Sequence, residues 1–298
     1  MSTTLLAATA PVARNRLALL ALLAGGIAIG GSPIFVRLSE VGPMATAFWR
    51  VALALVPLAL FFRSVDRRQS ARPERVRDAA MLALPGLFLA ADLVAWHASI
   101  HVTTVANATL LANLAPVFVT AIGWLFLGAR ITRTFLLGLG VAMTGIVVLK
   151  GGFSGLSAGD RGGDALAALA ALFYAGYMLC VARLRTRFDT LRVMLWSTAS
   201  AAICLLPVAL LTENQLFPVT AFGWSMLIGL ALISHAGGQV AISYALAYLP
   251  TSFSALTLLL QPVVAALLGV VVLGEGIGLI QAIGGVIVLC GILYARRG

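Results

Sequence analysis

Along the chain, apolar residues run for about twenty positions at a time and are then interrupted by short clusters of glycine, proline and arginine. A run of ~20 apolar residues crosses the ~30 Å hydrocarbon core as a helix, because a backbone in lipid must satisfy its hydrogen bonds within its own segment. Ten such runs are predicted, at about 17–37, 43–62, 79–100, 103–126, 132–150, 164–183, 191–211, 221–247, 250–273 and 277–295. The fold class expected is therefore an all-α polytopic membrane protein.

The punctuation repeats. Sliding residues 249–295 back by 146 positions onto 103–149 pairs Pro116 with Pro262, Gly123 with Gly269, Leu127-Gly128 with Leu273-Gly274, Gly138 with Gly284, and Gly145-Ile146 with Gly291-Ile292. Two apolar stretches share leucines by composition alone, but prolines and glycines in one register mark the same kinks and close approaches built twice. Gly30 and Gly176 extend the same spacing to the first span, where Gly26 and Gly30 form a small-xxx-small pair. Five helices followed by five is an odd-numbered unit doubled, so the second half must enter the membrane in the opposite sense. The expected organisation is a first five-helix repeat over residues 1–150, a glycine-rich outer linker at 151–163 and a second repeat over 164–298, enclosing a central cavity.

Composition agrees with this pattern. Of 298 residues, 61% are apolar and 10% charged; the mean hydropathy of +1.05 is more than a water-soluble surface could carry. The net charge of +10 raises the question of a nucleic-acid partner. The basic residues, however, are dispersed over loops and form no single face. With the N-terminus cytoplasmic, sixteen Lys and Arg fall inside and three outside (Arg37, Lys150 and Arg161), with Arg50 within a span, which accounts for all 20. That asymmetry places both termini in the cytoplasm, in a cell inner membrane. Cys180, Cys204 and Cys290 all lie within spans, which leaves no extracellular disulfide. The first apolar run follows Arg14 and Arg16 without a small-residue cleavage site and is expected to be an uncleaved span.

Polar residues inside spans are the candidates for chemistry, because each is costly in lipid. Arg50 lies about seven residues into the second run, on one face with Thr46, Leu53 and Pro57; it either snorkels to the outer interface or anchors an anion in a cavity. The third run carries Asp92, Trp96, His97, Ser99 and His101, with Asp92, Trp96 and Ser99 on one stripe and Arg50 a candidate partner for the carboxylate. His97 and His101 have the i, i+4 spacing of metal ligands, but a pair alone does not make a metal site. Asn113 stands beside Pro116, and Gln261 beside Pro262, so each half has one kinked helix with an amide at the kink. In the sixth run Tyr174, Tyr177 and Met178 share a side, and in the eighth His235, Gln239 and Ser243 form a polar stripe beside Gly237-Gly238. The expected substrate-binding set is Arg50, Asp92, Trp96, His97, Asn113, Tyr177, His235, Gln239 and Gln261, with no catalytic or metal-binding residues and no cofactor. The bland reading of the amides at the kinks is a bridge between helices, and that of the aromatics is packing or an interfacial belt; the polar stripe of the eighth run is harder to dismiss, because in lipid its imidazole and amide would be unpaired.

The two copies of Leu-x-x-x-x-Pro followed by Leu-Gly, with Glu275 completing Leu-Gly-Glu in the second, resemble the EamA repeat of the drug/metabolite transporter superfamily. Phe48-Trp49-Arg50 is similar to the Phe-x-Arg that opens that family's second span, and Ala129 departs from its pattern where many members have Glu. The resemblance implies ten helices in two inverted halves around a central cavity, and export of amino acids or other small metabolites; the length and cavity candidates are most similar to the YddG-type amino-acid exporters. The function expected is export of small metabolites, amino acids including aromatic or neutral ones, by alternating access. The alternatives are export of drugs or other metabolites, a membrane enzyme, or a channel or helper subunit. The scattered acids Glu40, Asp160, Asp164, Glu213 and Glu275 have no catalytic spacing and speak against an enzyme. The partners expected are a small-molecule substrate and the lipid bilayer, with no nucleic acid and a monomer sufficient. Within the spans only Asp92, His97 and His235 are placed to carry a proton, so export down the substrate gradient is expected, with proton dependence confined to them.

Overall fold

The structure, a computed structural model, describes residues 2–64, 73–103, 105–151, 160–274 and 276–297. The greater part of the expected linker, residues 152–159, and Glu275 lie outside the described residues, and so does the side chain of His101. The described residues form fourteen α-helices and one π-helical segment and contain no strand. In order they are α1 (Ser2–Gly30), α2 (Ser32–Arg37), α3 (Pro43–Ser64), α4 (Val76–Val102), α5 (Val105–Ala112), α6 (Ala115–Leu127), α7 (Arg133–Leu149), α8 (Arg161–Arg185) and α9 (Thr190–Thr212). There follow α10 (Ala221–Gly229), the π segment (Leu230–Gln239), α11 (Val240–Ala245), α12 (Thr251–Thr257), α13 (Leu260–Leu273) and α14 (Leu279–Ala295).

Eight stretches are long and apolar enough to cross a membrane, four of them assembled from consecutive shorter elements, and α7 and α14 are shorter apolar helices of 17 residues each. A 17-residue helix rises about 26 Å, at the lower limit for spanning. Large apolar side chains cover the outside of the bundle, with Phe126 77% and Leu211 87% exposed. Such a surface belongs in lipid, and the chain is a multi-pass membrane protein.

The breaks within spans have local causes. Pro116 and Pro262 have no N–H to give to the carbonyls of Ala112 and Leu258 four residues back, so α5 ends before α6 and α12 before α13. Both spans then stop in the same way, at Gly128 and Gly274, whose φ values of 66° and 67° are left-handed and suit glycine. Gly31-Ser32-Pro33 separates α1 from α2, with the proline at the first turn of the new helix.

Packing follows the small residues. A Cβ on Gly145 would lie 2.5 Å from Val288 N, and one on Gly291 2.5 Å from Ala142 N; Gly138 and Gly284 press in the same way on Ala295 and Leu149. These four contacts make α7 and α14 antiparallel neighbours at backbone distance. In the first span the close approach is made by Gly25, against Gly238 O and Ile242, and by Gly30, against Val264; Gly26 has only ordinary contact with Leu260. The main core joins α4, α8 and α9 around Leu82, Tyr177, Met178 and Leu205.

The two ends of the bundle differ. At the end that carries Arg37, Glu40 accepts from the backbone N–H groups of Val219 (2.9 Å) and Thr220 (3.0 Å) and from the Thr220 hydroxyl, while Glu213 accepts from Met44 N at 2.8 Å. The connections α2–α3 and α9–α10 therefore cap each other's following helix. The end that carries Arg296 also carries Asp78, which takes a two-pronged ion pair from Arg187 at 2.6 and 3.2 Å.

Candidate functional site

A cavity of about 590 Å³ lies between α2, α3, α4, α5, α8, the π segment and the α12–α13 break. That is the size of a small-molecule site. It reaches Ser32, Val36 and Arg37 in α2 at one end and Met178 on α8 at the other. The two proline-broken spans meet its wall at their breaks, through Ala112 and Asn113 in one and Leu258, Leu259 and Gln261 in the other.

Arg50 and Asp92 both face this cavity. They feel each other's charge, yet no ion pair within 4.0 Å joins them, and neither has a hydrogen-bonding partner among the described residues. The pairing expected from the sequence is thus a through-space relation across an open cavity and not a contact. Gln239 Oε1 and Gln261 Nε2 are likewise buried without a partner, although both residues line the cavity and the Tyr174 phenol faces their amides. A buried polar atom without a partner costs about 1–3 kcal/mol, so an acceptor and a donor are held ready for a third molecule, water or ligand.

Of the expected set, the structure brings together Arg50, Asp92, Trp96, His97, Asn113, Gln239 and Gln261 around one cavity. Trp96 meets His97 edge-on at 4.9 Å, and His97 donates from Nδ1 to Leu93 O at 2.6 Å, which fixes its ring. Asn113 donates to Thr109 O at 2.8 Å across the kink. Tyr177 and His235 stand apart. Tyr177 is 1% exposed, stacks behind Tyr174 at 5.8 Å and points its hydroxyl to Met194 Sδ. His235 shares a hydrogen bond of 2.9 Å with Thr198 Oγ1 on α9, and its Nδ1 has no partner.

The π segment explains the division within the eighth span. An i→i+5 turn is wider than an α turn and rotates the residues that follow it relative to those before. His235 consequently faces α9 while Gln239, one turn on, faces the cavity. Tyr174, absent from the expected set, takes the wall position next to Tyr177. The signal for it was present in the shared stripe of Tyr174, Tyr177 and Met178, but periodicity does not say which tyrosine leads.

Comparison with known proteins now decides the family. The sequence pattern of the EamA-like transporter family matches twice, over residues 16–150 and 161–297. This chain belongs to that family. Among its EamA relatives is a probable terminal-alkyne amino-acid exporter of Streptantibioticus cattleyicolor, 30% identical over 272 residues, covering 89% of this chain and 87% of the relative. A pseudopaline exporter of Pseudomonas aeruginosa is 28% identical over 221 residues, covering 71% of this chain and 76% of the relative. A solved crystal structure superposes with a TM-score of 0.77 at 20% identity, over 94% of this chain and 98% of that one, and so shares the EamA chain's fold.

Proposed function

We propose that this chain is a secondary transporter that exports small zwitterionic metabolites, amino acids or their derivatives, across the inner membrane by alternating access. The observation that carries the reading is the cavity in which Arg50 and Asp92 both lie without a partner in contact, with Arg37 at one end. A zwitterion offers a carboxylate to Arg50 and an ammonium to Asp92, and gives the unpartnered amides of Gln239 and Gln261 something to bond. Trp96 and Tyr174 supply aromatic faces on the same wall. A phosphorylated or multiply anionic substrate would instead set its excess negative charge against Asp92.

The architecture in this reading is ten transmembrane helices in two inverted halves. In its support, α7 and α14 have identical bounds in the 146-residue register and pack antiparallel through equivalent glycines. The arginine-rich end bearing Arg16, Arg130 and Arg296 is cytoplasmic, and Arg37 is outside. The relative that is a probable terminal-alkyne amino-acid exporter agrees with the substrate class. A carrier with no enzymatic step is sufficient to use every group on the wall.

Counterflow of single amino acids in proteoliposomes tests this. Loss of a charge-assisted hydrogen bond costs about 1.5–3 kcal/mol, or about 10–100-fold in binding. Arg50→Gln and Asp92→Asn are each expected to lower counterflow by that order while the melting temperature stays within a few degrees. Transport unaffected by both variants, or confined to uncharged solutes, would overturn the reading.

A further inference from the structure

A second and larger cavity, about 780 Å³, opens at the opposite end of the bundle, where α6 and α14 end and α12 begins. It shares no lining residue with the cavity described above. Its depth is apolar, with Leu19, Phe135 and Phe253, and its exposed rim carries Leu127, Arg16, Arg130 and Arg296. All three arginines are exposed, and no aspartate or glutamate lines the cavity among the described residues. None of the three forms an ion pair among the described residues.

The chain's own duplication shows how this cation excess arises. The turn after α6 reads Gly128-Ala129-Arg130, whereas its repeat partner reads Gly274-Glu275-Gly276. Ala129 lines the cavity. At the position where the other copy has a carboxylate, this one has a methyl group, followed by an added cation.

We infer that this cavity binds the phosphate headgroup of an anionic phospholipid on Arg16, Arg130 and Arg296, with an acyl chain lying against the apolar depth. A guanidinium matches a phosphate two-pronged, and basic pockets between membrane helices suit anionic headgroups. A free phosphate would use the rim and leave the apolar depth empty. A transported amino acid would find no carboxylate there for its ammonium group.

Native mass spectrometry of the purified full chain tests the inference, with phosphatidylglycerol, phosphatidylcholine of equal chain length and inorganic phosphate as probes. Phosphatidylglycerol is expected to bind at least tenfold more tightly than phosphatidylcholine, and inorganic phosphate at millimolar concentration should not displace it. Ala129→Glu, which returns a carboxylate to the rim, should erase most of that tenfold preference. Gly123→Val should weaken both lipids alike. A Cβ there meets only Ala129 Cβ at 3.5 Å and Ser252 Oγ at 3.8 Å, ordinary contacts that keep the fold and begin to fill the groove. Equal binding of the two lipids, an Ala129→Glu variant that keeps its preference while folded by thermal shift, or displacement by inorganic phosphate or by a free amino acid would each overturn it. Because the readout is lipid mass and not transport, failure of the export reading would leave this result unaffected.

Discussion

Arg50 is costly to place in the bundle, since a charged side chain at depth costs roughly 2.5–3.5 kcal/mol on insertion scales. The fold retains it beside a cavity and gives it no partner in contact, which is the arrangement of a binding group and not of a packing group. The same logic separates the two members of the span-8 stripe. Gln239→Leu removes an unpartnered acceptor from the wall and is expected to lower counterflow several-fold with little change in melting temperature. His235→Leu instead breaks the buried bond to Thr198, and should lower the melting temperature by several degrees while the KM of the surviving protein is unchanged. A His235→Leu variant that melts normally but loses substrate affinity would return His235 to the binding set. Charges and amides were legible in the sequence as candidates because lipid makes them costly. Their direction was not, since the π turn that separates His235 from Gln239 leaves no mark in hydropathy. At the surface, Glu40 makes a further residue-scale prediction. The Thr220 hydroxyl, together with backbone N–H groups of Thr220 and Val219, holds its carboxyl below the usual carboxylate range. Its clasp on α10 is therefore fully present above the unfolded-state pKa and is lost as pH falls through the lower folded value. Hydrogen exchange at Val219 and Thr220 should rise on acidification below about pH 4, and Glu40→Gln should show fast exchange already at neutral pH. Exchange that is independent of pH in the wild type would contradict the clasp.

At the scale of elements, the α7–α14 pair is the part most fully written in the sequence. Glycines in a shared register implied a close approach made twice, and Gly145 and Gly291 make it, each against the backbone of the other copy's helix. The elements that hydropathy left unseen are the subdivisions: α1 separate from α2, the broken fourth and ninth spans, and the ten-residue π segment. Prolines announced the breaks, but an apolar run is equally apolar on both sides of a break, so a window of ~20 residues averages it away. The shorter α7 and α14 were also counted as spans on composition alone. Overpacking costs about 1–3 kcal/mol per site, and more where backbone must move. Gly291→Val and Gly145→Val are therefore expected to lower the melting temperature in detergent clearly, by several degrees. Gly140→Val, on the same helix with nothing within 4 Å of its Cβ, should leave it roughly unchanged. Equal effects at positions 140 and 145 would mean that the helices are not in contact as described.

For the whole molecule, the placement of the cavity determines from which side it can be reached. Val36 and Arg37 line it at one end, while between its floor and the arginine-rich end stand Tyr177, Met178 and Val181, exposed by 1%, 0% and 0%. Arg185 closes the same end by donating from Nε to Ser243 O at 3.2 Å and from its terminal nitrogen to Phe188 O, tying α8 to α11. A carrier must interchange such an open end and a closed end, and the sequence could specify the walls without specifying which end is open, because both states use the same residues. In this arrangement, access is from the Arg37 end. In a background with Cys180, Cys204 and Cys290 replaced, Val36→Cys should react with an impermeant maleimide added outside sealed cells, and saturating transported amino acid should slow that reaction. Val181→Cys should react from neither side until the substrate drives turnover. If Val36→Cys reacts only from the cytoplasmic side, the orientation assigned from the arginines is reversed. If Val181→Cys reacts freely at rest, the closed floor is not the resting state of the protein in its membrane.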